Sequence, residues 1–133
     1  MLWDLVVVDL TRALAGPHAA MMLGDLGARV IKVESPRGGD ESRSWGPPFV
    51  GPENARESTY FLSANRNKES VTADLTTPEG TAFLTRLVAH ADVLLENFRT
   101  GVLDRLGFSG ARLAEINPRL VVLSITGFGH DGP

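Results

Sequence analysis

Two short runs carry the residue types that recognise a phosphorylated, aromatic ligand. Asn65-Arg66-Asn67-Lys68 sets two cations among two amides, and Glu96-Asn97-Phe98-Arg99 sets an amide, a ring and a cation in a row. Arg105 follows shortly after. Cations of this kind hold phosphates through charge-assisted hydrogen bonds, and Phe98 offers a ring face for stacking. The same spacing also fits an asparagine that closes a turn and arginines on a solvated surface. Both readings stay open on spacing alone.

Other chemistries are poorly served. The chain of 133 residues has no cysteine, which excludes disulfide scaffolds, thiolate zinc sites and a cysteine nucleophile. His18, His90 and His130 each lack a suitably spaced second ligand, so no metal site is expected. Ser63, Ser70 and Ser124 lie outside any Gly-x-Ser-x-Gly elbow. Asp9 could act as a carboxylate at the end of a strand, although closing the Thr11-Arg12 loop is the commoner role. With 13 Lys+Arg against 16 Asp+Glu the net charge is −3, which weighs against nucleic acid as a partner. The N-terminal apolar run, Leu5 to Val8, is too short for a secretory leader or a membrane span. A cytoplasmic protein without membrane contact is expected.

These side chains need elements to position them. Leu5-Val6-Val7-Val8 reads as a strand buried on both faces. A turn at Ala15-Gly16-Pro17 then opens a helix, with Pro17 in its first turn, that runs to Leu26 and stops at Gly27. Residues 28–34 form the next strand, completing one β-α-β unit with parallel strands. The first turn lacks a Gly-x-Gly-x-x-Gly fingerprint, yet a helix N-terminus at Pro17 could face an anion. Residues 35–58 read as an ordered Gly/Pro-rich surface loop anchored by Trp45, Phe49 and Val50. A second cycle follows: a strand over 70–75, and a helix capped at Thr77 with Pro78 and Glu79 in its first turn and Phe83, Leu84, Leu87 and Val88 on its apolar face. His90 is expected at that helix's C-terminus. A strand over 92–96, helical pieces over 102–106 and 110–116, and a last strand over 120–125 complete the pattern. The fold class is therefore α/β, an open and mostly parallel sheet with flanking helices. In such sheets ligands collect beyond the carboxyl ends of the strands, so the post-strand loops become the candidate site. The Gly-rich turn from Gly127 to Pro133 follows a strand with no covering helix, so residues 1–133 are expected to be a single partial domain.

As a set, several blocks resemble the family III CoA-transferases, the CaiB/BaiF group. They are Val8-Asp-Leu-Thr-Arg-Ala-Leu-Ala-Gly-Pro17, Leu23-Gly-Asp-Leu-Gly-Ala-Arg-Val-Ile-Lys-Val-Glu34, Gly39-Asp40, Asn65-Arg-Asn-Lys-Glu-Ser70, Asp92 to Arg99 with Gly101 and Arg105-Leu-Gly107, and Asn117 to Pro133. The resemblance runs the length of the chain in order. It implies a Rossmann-like domain, an interlocked homodimer in the full-length form, and acyl-CoA and carboxylate substrates with no covalently held cofactor. It also implies that Asn97, Phe98 and Arg105 border CoA, with Arg37 a weaker candidate from the loop after Glu34. Asn67 and Lys68 join them as candidate binding residues.

Within the group, Asp40 to Gly51 and Ser58 to Ser63 look most like the succinyl-CoA:glutarate type, which implies short dicarboxylic acids as substrates. Leu14 is apolar where oxalate-specific relatives carry glutamine. The family's nucleophile is an aspartate that forms a mixed anhydride, then an enzyme-bound CoA thioester. It is expected beyond the segment ending at Pro133, so no catalytic residue is assigned here, Asp131 included, and the chain alone is expected to be inactive. Two alternatives remain. One is a 2-methylacyl-CoA racemase of the same fold, although racemases typically carry Gly-Tyr-Arg where this chain has Asn97-Phe98-Arg99. The other is a truncated, non-catalytic CoA-binding chain.

Overall fold

A computed structural model describes every residue except His130 and Pro133, so the loop position read for His130 lies outside the described residues. In chain order the elements are β1 (Val6–Asp9), α1 (Ala15–Asp25), β2 (Arg29–Glu34), a 3-10 turn (Glu41–Ser44), β3 (Phe49–Val50), β4 (Glu57–Ser58), α2 (Thr59–Asn65), β5 (Lys68–Thr72), α3 (Pro78–Ala89), β6 (Val93–Glu96), α4 (Val102–Arg105), α5 (Gly110–Ile116) and β7 (Val121–Ser124). Five strands form one sheet in the order β5-β2-β1-β6-β7, and every pairing in it is parallel. The register sets Asp9 of β1 beside Lys32 of β2 and Leu95 of β6.

Strand side chains alternate between faces, so consecutive apolar residues feed two cores. Val8, Leu94 and Val33 pack with Leu84 and Val88 of α3, Leu113 of α5 and Phe108. Val7, Leu95 and Val30 pack on the other side with Ala20 of α1 and Ala28. Thr77 Oγ1 accepts from Gly80 N, with Pro78 as the first helical residue of α3, and His90 ends that helix. No helix among the described residues is long and apolar enough to cross a membrane.

Three sequence expectations are corrected. Helix α1 begins at Ala15, two residues before Pro17, which is tolerated because the first-turn N–H groups have no helical partner in any case. Gly16 is required there, because a Cβ would collide with the Thr11 side chain. The 35–58 segment is ordered and contains the antiparallel β3–β4 pair, but Trp45, Phe49 and Val50 remain 39, 39 and 46% exposed. Its anchors are instead polar: Asp40, Ser42 and Ser58 are buried, and Ser58 Oγ donates to Trp45 O. Finally, α2 occupies 59–65, where no helix was expected, and the strand read over 70–75 runs from Lys68 to Thr72.

At the far end of the sheet β7 is an edge strand. Val121, Val122 and Leu123 are 61, 41 and 42% exposed, whereas Leu94 and Leu95 of neighbouring β6 are fully buried.

Candidate functional site

Strand order reverses between β1 and β6, since β2 and β5 lie to one side of β1 and β6 and β7 to the other. A crevice opens beyond the carboxyl ends at such a point, and ligands of open α/β sheets bind there. In this chain it is a cleft of about 630 Å³. Leu10 and Arg12 reach it from the end of β1, Ser35 and Arg37 from β2, Asp74 and Leu75 from β5, and Asn97, Phe98 and Arg99 from β6. Val102 and Leu106 close one side. Apolar walls thus meet three guanidinium groups, a combination suited to a ring joined to phosphate.

The turn after β1 is held at successive peptide groups. Thr11 N donates to Asp9 Oδ1 at 2.9 Å, and Lys32 Nζ donates to Thr11 O at 2.8 Å. Asn97 grips Arg12 twice: its Oδ1 accepts from Arg12 N and its Nδ2 donates to Arg12 O, both at 2.9 Å. Ala13 N donates to Asp40 Oδ1 at 3.2 Å, and Ala13 itself sits at φ +66°. The Arg12 guanidinium lies 5.5 Å from the Phe98 ring centroid.

The sequence-derived candidates divide. Asn97, Phe98 and Arg37 meet at the cleft. Arg37 is 81% exposed at its side chain and pairs loosely with Asp74 at 3.4 Å. Arg105 is exposed on α4, outside the residues that line the cleft, although its helix contributes Val102. Asn67 stands at the amino end of β5, away from the crevice, with its Nδ2 donating to Asp25 Oδ1 and its backbone at φ +64°. The side chain of Lys68 is buried, and its Nζ donates to Asp9 Oδ2, Pro17 O and Asn65 Oδ1 at 2.8–2.9 Å. Three acceptors satisfy an ammonium group, so Lys68 has no proton left for a phosphate.

Arg99, part of the run singled out in the sequence, lines the cleft, and sequence reasoning missed only Arg12 as a second cation there. Among the described residues neither has a carboxylate within ion-pair distance. Arg12 lies in the loop after β1 that the rule already marks as part of the site, and its place over Phe98 is what the sequence does not show. Sequence reasoning also missed a polar layer beneath the cleft. Lys32 faces Asp40 Oδ2 at 2.9 Å and Asp9 Oδ2 at 3.9 Å, and all three side chains are at most 2% exposed. The Lys32–Asp40 contact is an ion pair without an aligned hydrogen bond. Burial pushes the Asp40 carboxyl up, but the adjacent ammonium and the Ser42 N–H and O–H outweigh it, leaving the group below its ordinary value. Burial dominates at Lys68 and lowers it, against the opposing pull of Asp9.

Alongside lies Glu34, bound in two-pronged fashion by Arg43 at 2.7 Å and also accepting from Ser70 Oγ and Asp40 N. Burial raises its pKa. The bonds from Arg43, Ser70 and Asp40 N and the Arg43 charge more than offset that, bringing it down to about 2. Among the described residues no cluster of three His, Cys, Asp or Glu side chains could hold a metal ion.

Comparison with known proteins places this geometry in context. A family model described as CoA-transferase family III matches residues 2–133. A succinate–glutarate CoA-transferase of Agrobacterium fabrum is 50% identical over 129 residues, which are 96% of this chain and 32% of that protein. An acetyl-CoA:oxalate CoA-transferase of Acetobacter aceti is also 50% identical over 129 residues, covering 97% of this chain and 32% of that protein. A crystal structure of a CaiB/BaiF family protein from Brucella suis superposes with a TM-score of 0.91 at 55% identity, over 97% of this chain and 34% of that one. The chain thus spans about a third of the length of the curated relatives it matches.

Proposed function

We propose that this chain, which belongs to CoA-transferase family III, acts as the CoA-binding part of an enzyme that moves coenzyme A from an acyl-CoA to a short carboxylic acid. The observation that carries the reading is the cleft at the strand-order reversal, where Phe98 and three arginines converge on backbone held by Asn97. An adenine-sized ring stacks on such a face, and guanidinium groups bind phosphates in pairs of parallel hydrogen bonds. Residues 1–133 act as one binding unit in this reading. The carboxylate that attacks the thioester carbonyl, displacing the CoA thiolate to leave an acyl anhydride, is assigned to an aspartate outside these residues.

For the acid, short dicarboxylates fit best. Glutarate-type and oxalate-type relatives are equally identical to this chain, and Leu14, 47% exposed at the start of α1, argues for the former. An interlocked homodimer and a cytoplasmic location belong to the same proposal.

Calorimetric titration with coenzyme A tests it. Saturable one-to-one binding is expected, weakened in Phe98→Ala. Arg99→Ala is expected to lose a charge-assisted phosphate bond worth about 1.5–3 kcal/mol, a drop of roughly ten- to a hundredfold, and Arg105→Ala tests whether a cation outside the cleft lining reaches the ligand as well. Failure of the unaltered protein to bind refutes the reading, and unchanged affinity in Arg105→Ala removes that residue from the site.

A further inference from the structure

The buried polar layer does more than fill space under the cleft. Asp40 sits in the long loop after β2, 2% exposed, yet it touches three structures at once. Its Oδ1 accepts from Ser42 N at 3.0 Å and Ser42 Oγ at 2.7 Å, which caps the 3-10 turn. The same oxygen accepts from Ala13 N, while Oδ2 faces Lys32, whose ammonium holds Thr11 O. Asp40 N in turn donates to Glu34.

The consequence falls on Ala13. A non-glycine residue at φ +66° occupies a sparsely populated region and persists there only when its surroundings over-determine it. Asn97 fixes Arg12 on one side of Ala13 and Asp40 fixes the Ala13 amide itself. Arg12 and Ala13 both line the cleft, and Arg12 lies over Phe98. The position of that wall therefore depends on Asn97 at Arg12 and on one buried carboxylate at Ala13.

We infer that Asp40 is a positioning residue: it holds the Ala13 amide and, through Lys32, the Thr11 carbonyl, so that the β1–α1 turn presents Arg12 and Ala13 to the ligand in the cleft. The inference rests on the coenzyme A reading for the identity of the ligand, but not for the clamp itself. Asp40 touches no substrate. Its removal lets the turn relax from the left-handed conformation, which shifts Arg12 away from Phe98.

The experiment compares Asp40→Ala with Asp40→Asn. The asparagine keeps an oxygen for Ala13 N and Ser42 but removes the charge opposite Lys32. Two readouts are taken: coenzyme A affinity by calorimetry, and hydrogen exchange of the Ala13 amide by NMR. In Asp40→Ala the affinity is expected to fall about tenfold or more, because a displaced Arg12 loses a charge-assisted contact with the ligand and such contacts have effects of that size. The Ala13 amide is expected to lose its protection. In Asp40→Asn, affinity and protection are expected to return to near the original while thermal stability stays reduced. That split separates positioning from general stability, as does Leu84→Val, a core change expected to lower stability and leave affinity intact.

Unchanged Ala13 exchange in Asp40→Ala overturns the inference. So does affinity that falls in step with stability across all three variants. Should Asp40→Ala not fold, Asp40→Asn decides alone: affinity lost while the Ala13 amide stays protected refutes the clamp. If the unaltered protein does not bind coenzyme A, the proposed function fails while Ala13 exchange still judges the clamp.

Discussion

Replacing Glu34 with glutamine should remove a large and pH-dependent share of this domain's stability. Glu34 is 5% exposed and accepts four hydrogen bonds, two of them from the Arg43 guanidinium. A fall from 4.5 to about 2 is roughly two and a half pKa units, which corresponds to about 3 kcal/mol. Because the folded-state value is depressed, this stability is fully present above pH 4.5 and is lost as the pH falls towards 2. Glutamine keeps the shape but turns an N–H donor towards the Arg43 donors. Arg43, partly exposed at its side chain, can swing to solvent, which keeps the loss near the lower end of the ~3–5 kcal/mol found for broken buried pairs. Urea unfolding followed by circular dichroism, at a series of pH values, measures both proteins. The stability difference should be about 3 kcal/mol at pH 7 and shrink towards zero near pH 2. Subtracting the two curves cancels the carboxylates remote from position 34. A difference below about 1 kcal/mol at pH 7, the range of exposed pairs, refutes the reasoning. So does a difference independent of pH.

Two structural predictions bear on the frame that carries the site. Thr77→Ala should cost about 1 kcal/mol by freeing the Gly80 amide at the start of α3, read as a lower urea midpoint with unchanged slope. Leu84→Ala, at a fully buried position between α3 and the sheet, should cost roughly 2–5 kcal/mol in the same assay.

What the sequence discloses depends on how local its cause is. The run Leu5 to Val8, the Thr77-Pro78-Glu79 helix start and the buried strand before Asn97 all follow from neighbours within a few residues, and each stands nearly where expected. The cleft residues Asn97 and Phe98 were also within reach, because a parallel sheet sends its post-strand loops to one end, whereas Arg37 came only from the family resemblance. Lys68 was misjudged for the opposite reason. As text it is a cation beside other polar residues. In the fold it meets Asp9, 59 positions earlier, and the pairing consumes it. Asp40 was invisible as a clamp because its partners, Ala13 and Lys32, come from other segments. Helix α2 is short, and its cap, Ser58, ends a two-residue strand, so no periodic pattern could develop. Trp45 and Phe49 look like anchors by type, yet the buried hydrogen bonds of serine and aspartate do that work.

The edge strand β7 has a consequence for behaviour in solution. Its outer rim offers backbone donors and acceptors, and its two faces carry Val121 and Leu123 on one side and Val122 on the other. A rim of this kind is a template on which any extended chain can crystallise as one more strand. It carries no lysine, no proline and no bulge to discourage that meeting. Wherever β7 is left bare, the rim farthest across the sheet from β5 is open to the addition of one more strand.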